Sequence, residues 1–582
     1  MPRSGRAASQ AASRAASSAG PSRGALLPRA LLALALLAGY HLVAPLILAA
    51  LALADLFLLR GSQPYALTSL GAYAGSVAVT CSLVRVVYLT RGGAQDRHDL
   101  PGVALTPAEQ PELWQRMGEL AQSVGTATFA EIRLIPDANA MVTEEPRLLG
   151  LRHGKRRLFL GTPLLLGLSE AELDAVLAHE LGHYANGDTR LAATVWAARG
   201  AVERTVGTLN ERSAAHRERE AAEAEAKAAR RRARGKPAPV TAGASRGADH
   251  YLSVVYTAYA KLCLRCTEGV SRRQEYAADL VAVRIAGRRS TADALRHLAV
   301  LSVATDLYLH RYPAMGWDAG FLPPPGQVHG GLAHLLADEA RRRELDELAP
   351  RLADQHGSPH DIHPPLAERV ATIEALPDDG RPLRGTAPAV GLLRAPHTVL
   401  AALEEAELGP DVRTAHRVPW HELPYRAHRA AQARTAEPLL QATADVAAAR
   451  GATLHGPPAV GTLLDLVDAG LLPEIAALLP RSAVAERSTG RATREFARTA
   501  FRSRLRALTV VALADTGHIR WELSWSGAPV RQIVSEGLGD TLEAALDAVI
   551  AAPPATAPLR ALLDSAPLPQ GGAQTTTIRR LP

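Results

Sequence analysis

Residues Ala175 to Tyr184 read "AVLAHELGHY", and the fold of the chain turns on how this stretch is placed. Just upstream, Ser169 and Glu172 have the spacing of a capping box. Leu173, Val176 and Leu177 supply an apolar face, and Gly187 stands where a helix would end. The spacing therefore predicts a helix from near Glu170 to Asn186. Four residues on a helix advance about 400°, so His179 and His183 leave the same face one turn apart, close enough for both imidazoles to reach one ion. With 20 His among 582 residues, chance yields such a pattern in only roughly a few per cent of chains, so the motif carries weight. Zinc makes water a nucleophile near neutral pH, and Glu180, adjacent to the first His, is placed to take its proton. Gly182 inside the helix implies close packing against a neighbour.

A catalytic zinc needs a third protein ligand. "SRRQEYAAD" (271–279) offers Ser271 and Gln274 as a further capping box, with Glu275 and Asp279 four apart on one face. Spacing alone leaves Glu275 open between a third ligand and an ion-pair partner of Arg272 or Arg273. Asp279 is the residue that would accept the free ring N–H of a ligating His. "HELPYRAH" at His421 also begins His-Glu, but no second His follows at the fourth place and Pro424 reads as a helix breaker, so this stretch is expected to be a loop.

Away from the motif, composition narrows the class. Three cysteines, Cys81, Cys263 and Cys266, are too few for a disulfide framework, and the lone CxxC reads as packed thiols. The net charge of +7 comes almost entirely from Arg, since Lys occurs only at 155, 227, 236 and 261. The densest basic run, "AARRRARGKP" (228–237), follows an acidic helical run and has no interleaved aromatics for stacking bases. It reads as part of a solvated, disordered insertion at 209–248, and nucleic acid is not expected as a partner.

The N-terminus points to a bilayer. "ALLALALLAGYHLVAPLILAALALADLFLL" (30–59) has the length and apolarity of one tilted or kinked transmembrane helix, and a second run follows from Tyr65 to about Val84. The first run is too long for a signal-peptide core. Five Arg precede the first run, Arg85, Arg91 and Arg97 close or follow the second, and Arg60 alone lies between. Two spans with the globular part in the cytoplasm follow from that asymmetry. The Ser/Ala/Gly-rich leader, residues 1–29, is expected to be disordered.

Several of these pieces, in this order, resemble a known family. "VLAHELGHYANGD" (176–188) and, about 90 residues later, "RRQEYAADLVA" (272–282) are similar to the membrane zinc metalloproteases that include the bacterial HtpX-like proteases and the CAAX prenyl endopeptidases. "PDANAM" (136–141), "NGDTR" (186–190) and "HPPLAERV" (363–370) also match, so the resemblance covers roughly 100–375. It implies His179, His183 and Glu275 as zinc ligands, Glu180 as general base, and Asp279 with Asp188 as supporting residues. Asn139 and Ala140 would form an edge strand for an extended substrate. His363 and Arg369 would border the site, His363 either steadying an oxyanion or serving structurally before two prolines.

There are departures. HtpX-like proteins have two further membrane helices between the halves of the site, where this chain has "LAATVWAARGAVERTVG" (191–207) and "YLSVVYTAYAKLCLRC" (251–266). Both are broken by charge and read as amphipathic helices on the site or on the membrane surface. Two spans cannot build the chamber of a CAAX enzyme.

Past "ALPDDGRPLRGTAP" (375–388) the resemblance ends, and a domain boundary is expected near residue 380. Beyond it, 433–451 and 459–479 read as helices and 508–527 as a hairpin turning at Thr516 and Gly517. The expected whole is an α+β chain: a disordered leader, an N-terminal transmembrane helical hairpin (30–90), a mainly helical zincin metalloprotease domain with a small β-sheet (100–375), and a C-terminal α+β accessory region (380–582). Its expected partners are polypeptide substrates, unfolded or membrane proteins among them, and the lipid bilayer. The alternatives are a silent membrane scaffold that binds partners through the C-terminal region and a regulatory processing protease.

Overall fold

The computed structural model describes residues 26–61, 66–91, 100–144, 155–185, scattered positions of 206–227, 248–353, 364–380, 385–410, 414–451, 459–480, 490–534 and 537–565. The chain divides into two compact units, residues 1–301 with 347–394, and residues 302–346 with 395–582. Residues 302–346 thus group with the C-terminal part, although the motif segment flanks them on both sides in sequence.

The first unit begins with two long apolar helices, α1 (Leu26–Arg60) and α2 (Leu67–Arg91). Among the described residues two helical segments are long and apolar enough to cross a membrane, Leu42–Arg60 and Leu67–Val84. Ser76 donates to the Asp55 carboxylate at 2.9 Å, which gives the one acidic group of the first segment a partner on the second.

A four-stranded sheet follows, in the order β1 (Val103–Leu105), β2 (Glu131–Ile135), β4 (Arg156–Gly161), β3 (Ala140–Glu144). β2 and β4 are parallel and mostly buried through Ile132, Leu134, Ile135, Leu158, Phe159 and Leu160, whereas β3 pairs antiparallel with β4 and forms an edge. The spacing of Thr106 and Glu109 reads as a capping box that would open a helix, yet helix α3 (Pro111–Val124) starts only at Pro111. The Thr106–Glu109 box forms, with Thr106 Oγ1 donating to Glu109 at 2.6 Å, but it closes a turn. Pro111 has no N–H with which to continue the ladder, so the helix begins afresh there. It ends at Gly125, in the left-handed conformation.

Short α4 (Thr162–Gly167) leads into α5 (Glu170–Ala185), which carries the quoted stretch. The predicted capping box is in place: Ser169 Oγ donates to Glu172 at 2.8 Å and Glu172 also accepts from the Ser169 N–H. Arg116 of α3 is ion-paired with Asp174 on α5. Packed along α5 lies α6, a single helix from Ala248 to Ala286. The sequence reading of Ser271 and Gln274 as a helix start is corrected here. No proline interrupts 248–286, and contacts at both ends hold the helix together. Its first half packs Leu252 and Tyr256 against Ala44 of α1 and Leu83 of α2. Its second half faces α5, where a Cβ on Gly182 would lie 3.1 Å from the Ala278 Cα. Helices α7 (Arg288–Arg311) and α8 (Leu366–Glu374) complete the surroundings of the site.

The C-terminal unit is built on α9 (Leu423–Ala449) and α10 (Arg491–Asp515), around a core that includes Leu439, Phe501, Leu505 and Trp521. Two sequence expectations fail here. Pro424 occupies the first turn of α9, where a missing N–H costs nothing, so it opens a helix that the sequence reading placed in a loop. Thr516 and Gly517 cap α10, with the His518 N–H bonding back to Leu513 at 2.8 Å and Gly517 at φ 83°. The hairpin begins only after this cap and pairs β5 (Ile519–Leu523) with β6 (Val530–Val534), with Trp521 on its packed face.

Candidate active site

The active-site groups come from α5, α6 and α8, three helices distant in sequence. On α5, the His179 and His183 rings are 4.8 Å apart, edge to face, and the donor atoms of His179, Glu180 and His183 all lie within 4.8 Å of one another. From α6, one Glu275 oxygen is 3.5 Å from His179 Nε2 and the other 3.7 Å from His183 Nε2. Two carboxylates therefore face the imidazole pair, in different surroundings. Glu275 is 0% exposed, while Glu180 is half-buried and lines a cavity.

One turn further along α6, Asp279 accepts from His179 Nδ1 at 2.9 Å. That contact places a ring proton on Nδ1 and turns Nε2 towards His183 and Glu275. From α8, the Arg369 guanidinium forks onto Asp279, Nε at 3.0 Å and Nη2 at 2.6 Å, and its Nη1 lies 3.6 Å from Glu275. Burial opposes charge on Asp279, but Arg369 and His179 outweigh it and hold the carboxyl below the usual range. Burial likewise pulls His179 down, yet its bonds to Asp279 and Glu275 prevail and the imidazole is raised to about 9. The result is a buried chain of alternating charge in which the His179 imidazole gains both orientation and basicity.

The cavity beside these groups measures about 210 Å³. Ala138, Asn139 and Ala140 border it at the sheet edge, and Val176, Leu295 and Leu298 form an apolar wall. Asn139 precedes β3 and Ala140 opens it, so both stand at the edge as the sequence led us to expect. Arg369 also touches the cavity, but its guanidinium is committed to Asp279. Asp188 and His363 lie outside the described residues.

Two features had no forewarning in the sequence reading. The α7 side chains of the apolar wall carry no motif, and only their helical spacing of three to four residues could have marked them. Tyr184, the last residue of the quoted stretch, donates its hydroxyl to the Val142 carbonyl at 2.7 Å, and Arg156 lies over its ring at 4.9 Å. Burial, with Glu180 and Glu144 nearby, raises the phenol pKa, so Tyr184 remains a donor.

Comparison with known proteins agrees with this geometry. Residues 107–376 match Peptidase family M48. The Protease HtpX of Acinetobacter baylyi is 28% identical over 210 residues, covering 34% of this chain and 60% of that relative's length. No solved structure matches the chain. Over residues 107–376 the chain is therefore similar to Peptidase family M48, and to the HtpX-like proteases that its motifs resemble.

Proposed function

We propose that the chain is a membrane-anchored, zinc-dependent endopeptidase with His179, His183 and Glu275 as metal ligands and Glu180 as general base. The observation that carries the reading is the division of labour between two carboxylates that face the same imidazole pair. Glu275 is sealed from solvent and touches both His Nε2 atoms, which suits a ligand, whereas Glu180 borders the cavity where a substrate carbonyl would lie. Two imidazoles and one carboxylate are a donor set that zinc favours, and when bound it supplies the Lewis acidity that makes water nucleophilic near neutral pH.

The chain's own groups do the rest. Glu180 takes the proton of water as its oxygen bonds to the carbonyl carbon, then delivers that proton to the amide nitrogen as the C–N bond breaks. Asp279, held by Arg369, keeps His179 in one tautomer throughout. The edge of β3 aligns an extended chain, and the wall of Val176, Leu295 and Leu298 receives an apolar side chain beside the scissile bond. Such a site takes polypeptides in extended form, which makes unfolded or membrane proteins the substrate class. The Arg bias around the apolar helices supports a domain on the cytoplasmic side.

The test is cleavage of an unfolded protein such as casein by the detergent-purified chain, wild type against Glu180→Gln at equal bound zinc. The Gln variant should lose at least about 10²-fold in rate. Equal rates, or zinc binding without cleavage by either protein, would remove the hydrolytic reading.

A further inference from the structure

We propose that Tyr184 sets the register of the bound polypeptide by closing the open edge of β3 at Val142, so that an incoming chain ladders at Ala140 and leaves the edge beyond it. The inference rests on the endopeptidase reading of the site.

The strand alternation fixes which groups point outward. The Gly161 N–H donates to the Asn139 carbonyl at 2.8 Å, and residues whose numbers sum to 300 face each other across β3 and β4. Asn139, Met141 and Thr143 therefore direct their main-chain groups at β4, and Ala140, Val142 and Glu144 direct theirs at the open edge. Among the described residues no strand flanks that side.

Helix α5 runs beside this edge. Two residues of strand span about 6.6 Å and four of helix about 6 Å, so Glu180 and Tyr184 match the outward positions Ala140 and Val142. Ala140 borders the cavity together with His179 and Glu180. Val142 is where Tyr184 Oη donates to the carbonyl, with the ring held by Arg156, itself 3.1 Å from Glu144. The phenol occupies the place a substrate N–H would take. One outward position beside the base stays available to a backbone, and the next acceptor is already engaged, which limits how the chain can slip relative to Glu180.

The test uses the full-length, zinc-loaded chain in detergent, in a Glu180→Gln background so that the peptide stays intact. A fluorescent, uncharged peptide is scanned with single amide-to-ester replacements, each removing one N–H, and binding is read by anisotropy. One ester, at the N–H that pairs with Ala140, should weaken binding about three- to tenfold. The ester one register step on, facing Val142, should leave it unchanged. Adding Tyr184→Phe should make that second ester costly and should tighten the all-amide peptide by a similar factor. An ester facing Val142 that already weakens binding without the Tyr184 substitution, an ester scan with no position dependence, or no peptide binding at all would overturn the proposal. The ester scan alone decides if the Tyr184 variant fails to fold. Should the wild-type chain leave casein intact while this ester pattern appears, the hydrolytic reading falls and the register stands.

Discussion

Arg369 shows how much of the site is held from behind. Its guanidinium meets Asp279 through two bonds and Asp279 meets His179, so a change at Arg369 reaches the imidazole without touching it. Arg369→Ala should lower zinc affinity about 10- to 100-fold in a chelator competition, and Asp279→Asn should do the same while the helices stay folded. An unchanged affinity would show that the ligand geometry does not depend on this chain of contacts. Glu172 is a second such support, at the start of the same helix. Burial raises its pKa, but His297 at 2.8 Å and Ser169 overcome that and leave it lowered. A carboxylate with a depressed folded pKa contributes stability above its unfolded value, near 4.3, and loses it as pH falls through the folded one. Glu172→Gln should therefore cost about 1 kcal/mol at neutral pH. The gap to wild type should close below about pH 4, as read from denaturation midpoints across pH.

Two helices meet at Gly182, and there the element scale takes over. A Cβ on this residue would sit 3.1 Å from the Ala278 Cα and 3.2 Å from the Val281 Cβ, one helical turn from the Glu275–Asp279 face. Gly182→Val should push α5 from α6, separate Glu275 from both imidazoles and cost about 1–3 kcal/mol together with bound zinc. Retained zinc at full stoichiometry would contradict this. Local signals made α5 legible in advance, because a capping box, an apolar face and a terminal glycine are all written within 20 residues. They marked the apolar segments of β2 and β4 as strands too, but not β1. The place of Glu275 was not legible from spacing, which left it between ligand and surface ion pair while the resemblance implied a ligand; the long-range contact of α5 with α6 buries it against the histidines. Turn residues misled for a related reason. Thr516 and Gly517 suit a hairpin and a helix cap equally, and it is the amphipathic run of α10 packing on α9 that decides for the cap.

Across the whole first unit, one helix joins the candidate site to the apolar hairpin, because α6 carries Glu275 and Asp279 at one end and packs on α1 and α2 at the other. The outward faces of the two candidate spans are rich in exposed apolar side chains, Leu46, Leu53, Phe57 and Leu67 among them, which water would not tolerate and lipid would. In the proposed topology the two apolar helices cross in turn, with Arg60 and Gly61 between them, so that residues 1–29 and residues 107–376 lie on one side. That topology takes this side to be the cytoplasm, on the Arg distribution. In a background with Cys81, Cys263 and Cys266 changed to Ser, a Gly61→Cys chain should react with a membrane-impermeant maleimide on intact cells, and a Glu119→Cys chain should react only after the cells are opened. Labelling of Glu119→Cys from outside would invert the topology and place the domain's substrates beyond the membrane. Labelling of both only after opening would mean that the hairpin does not cross.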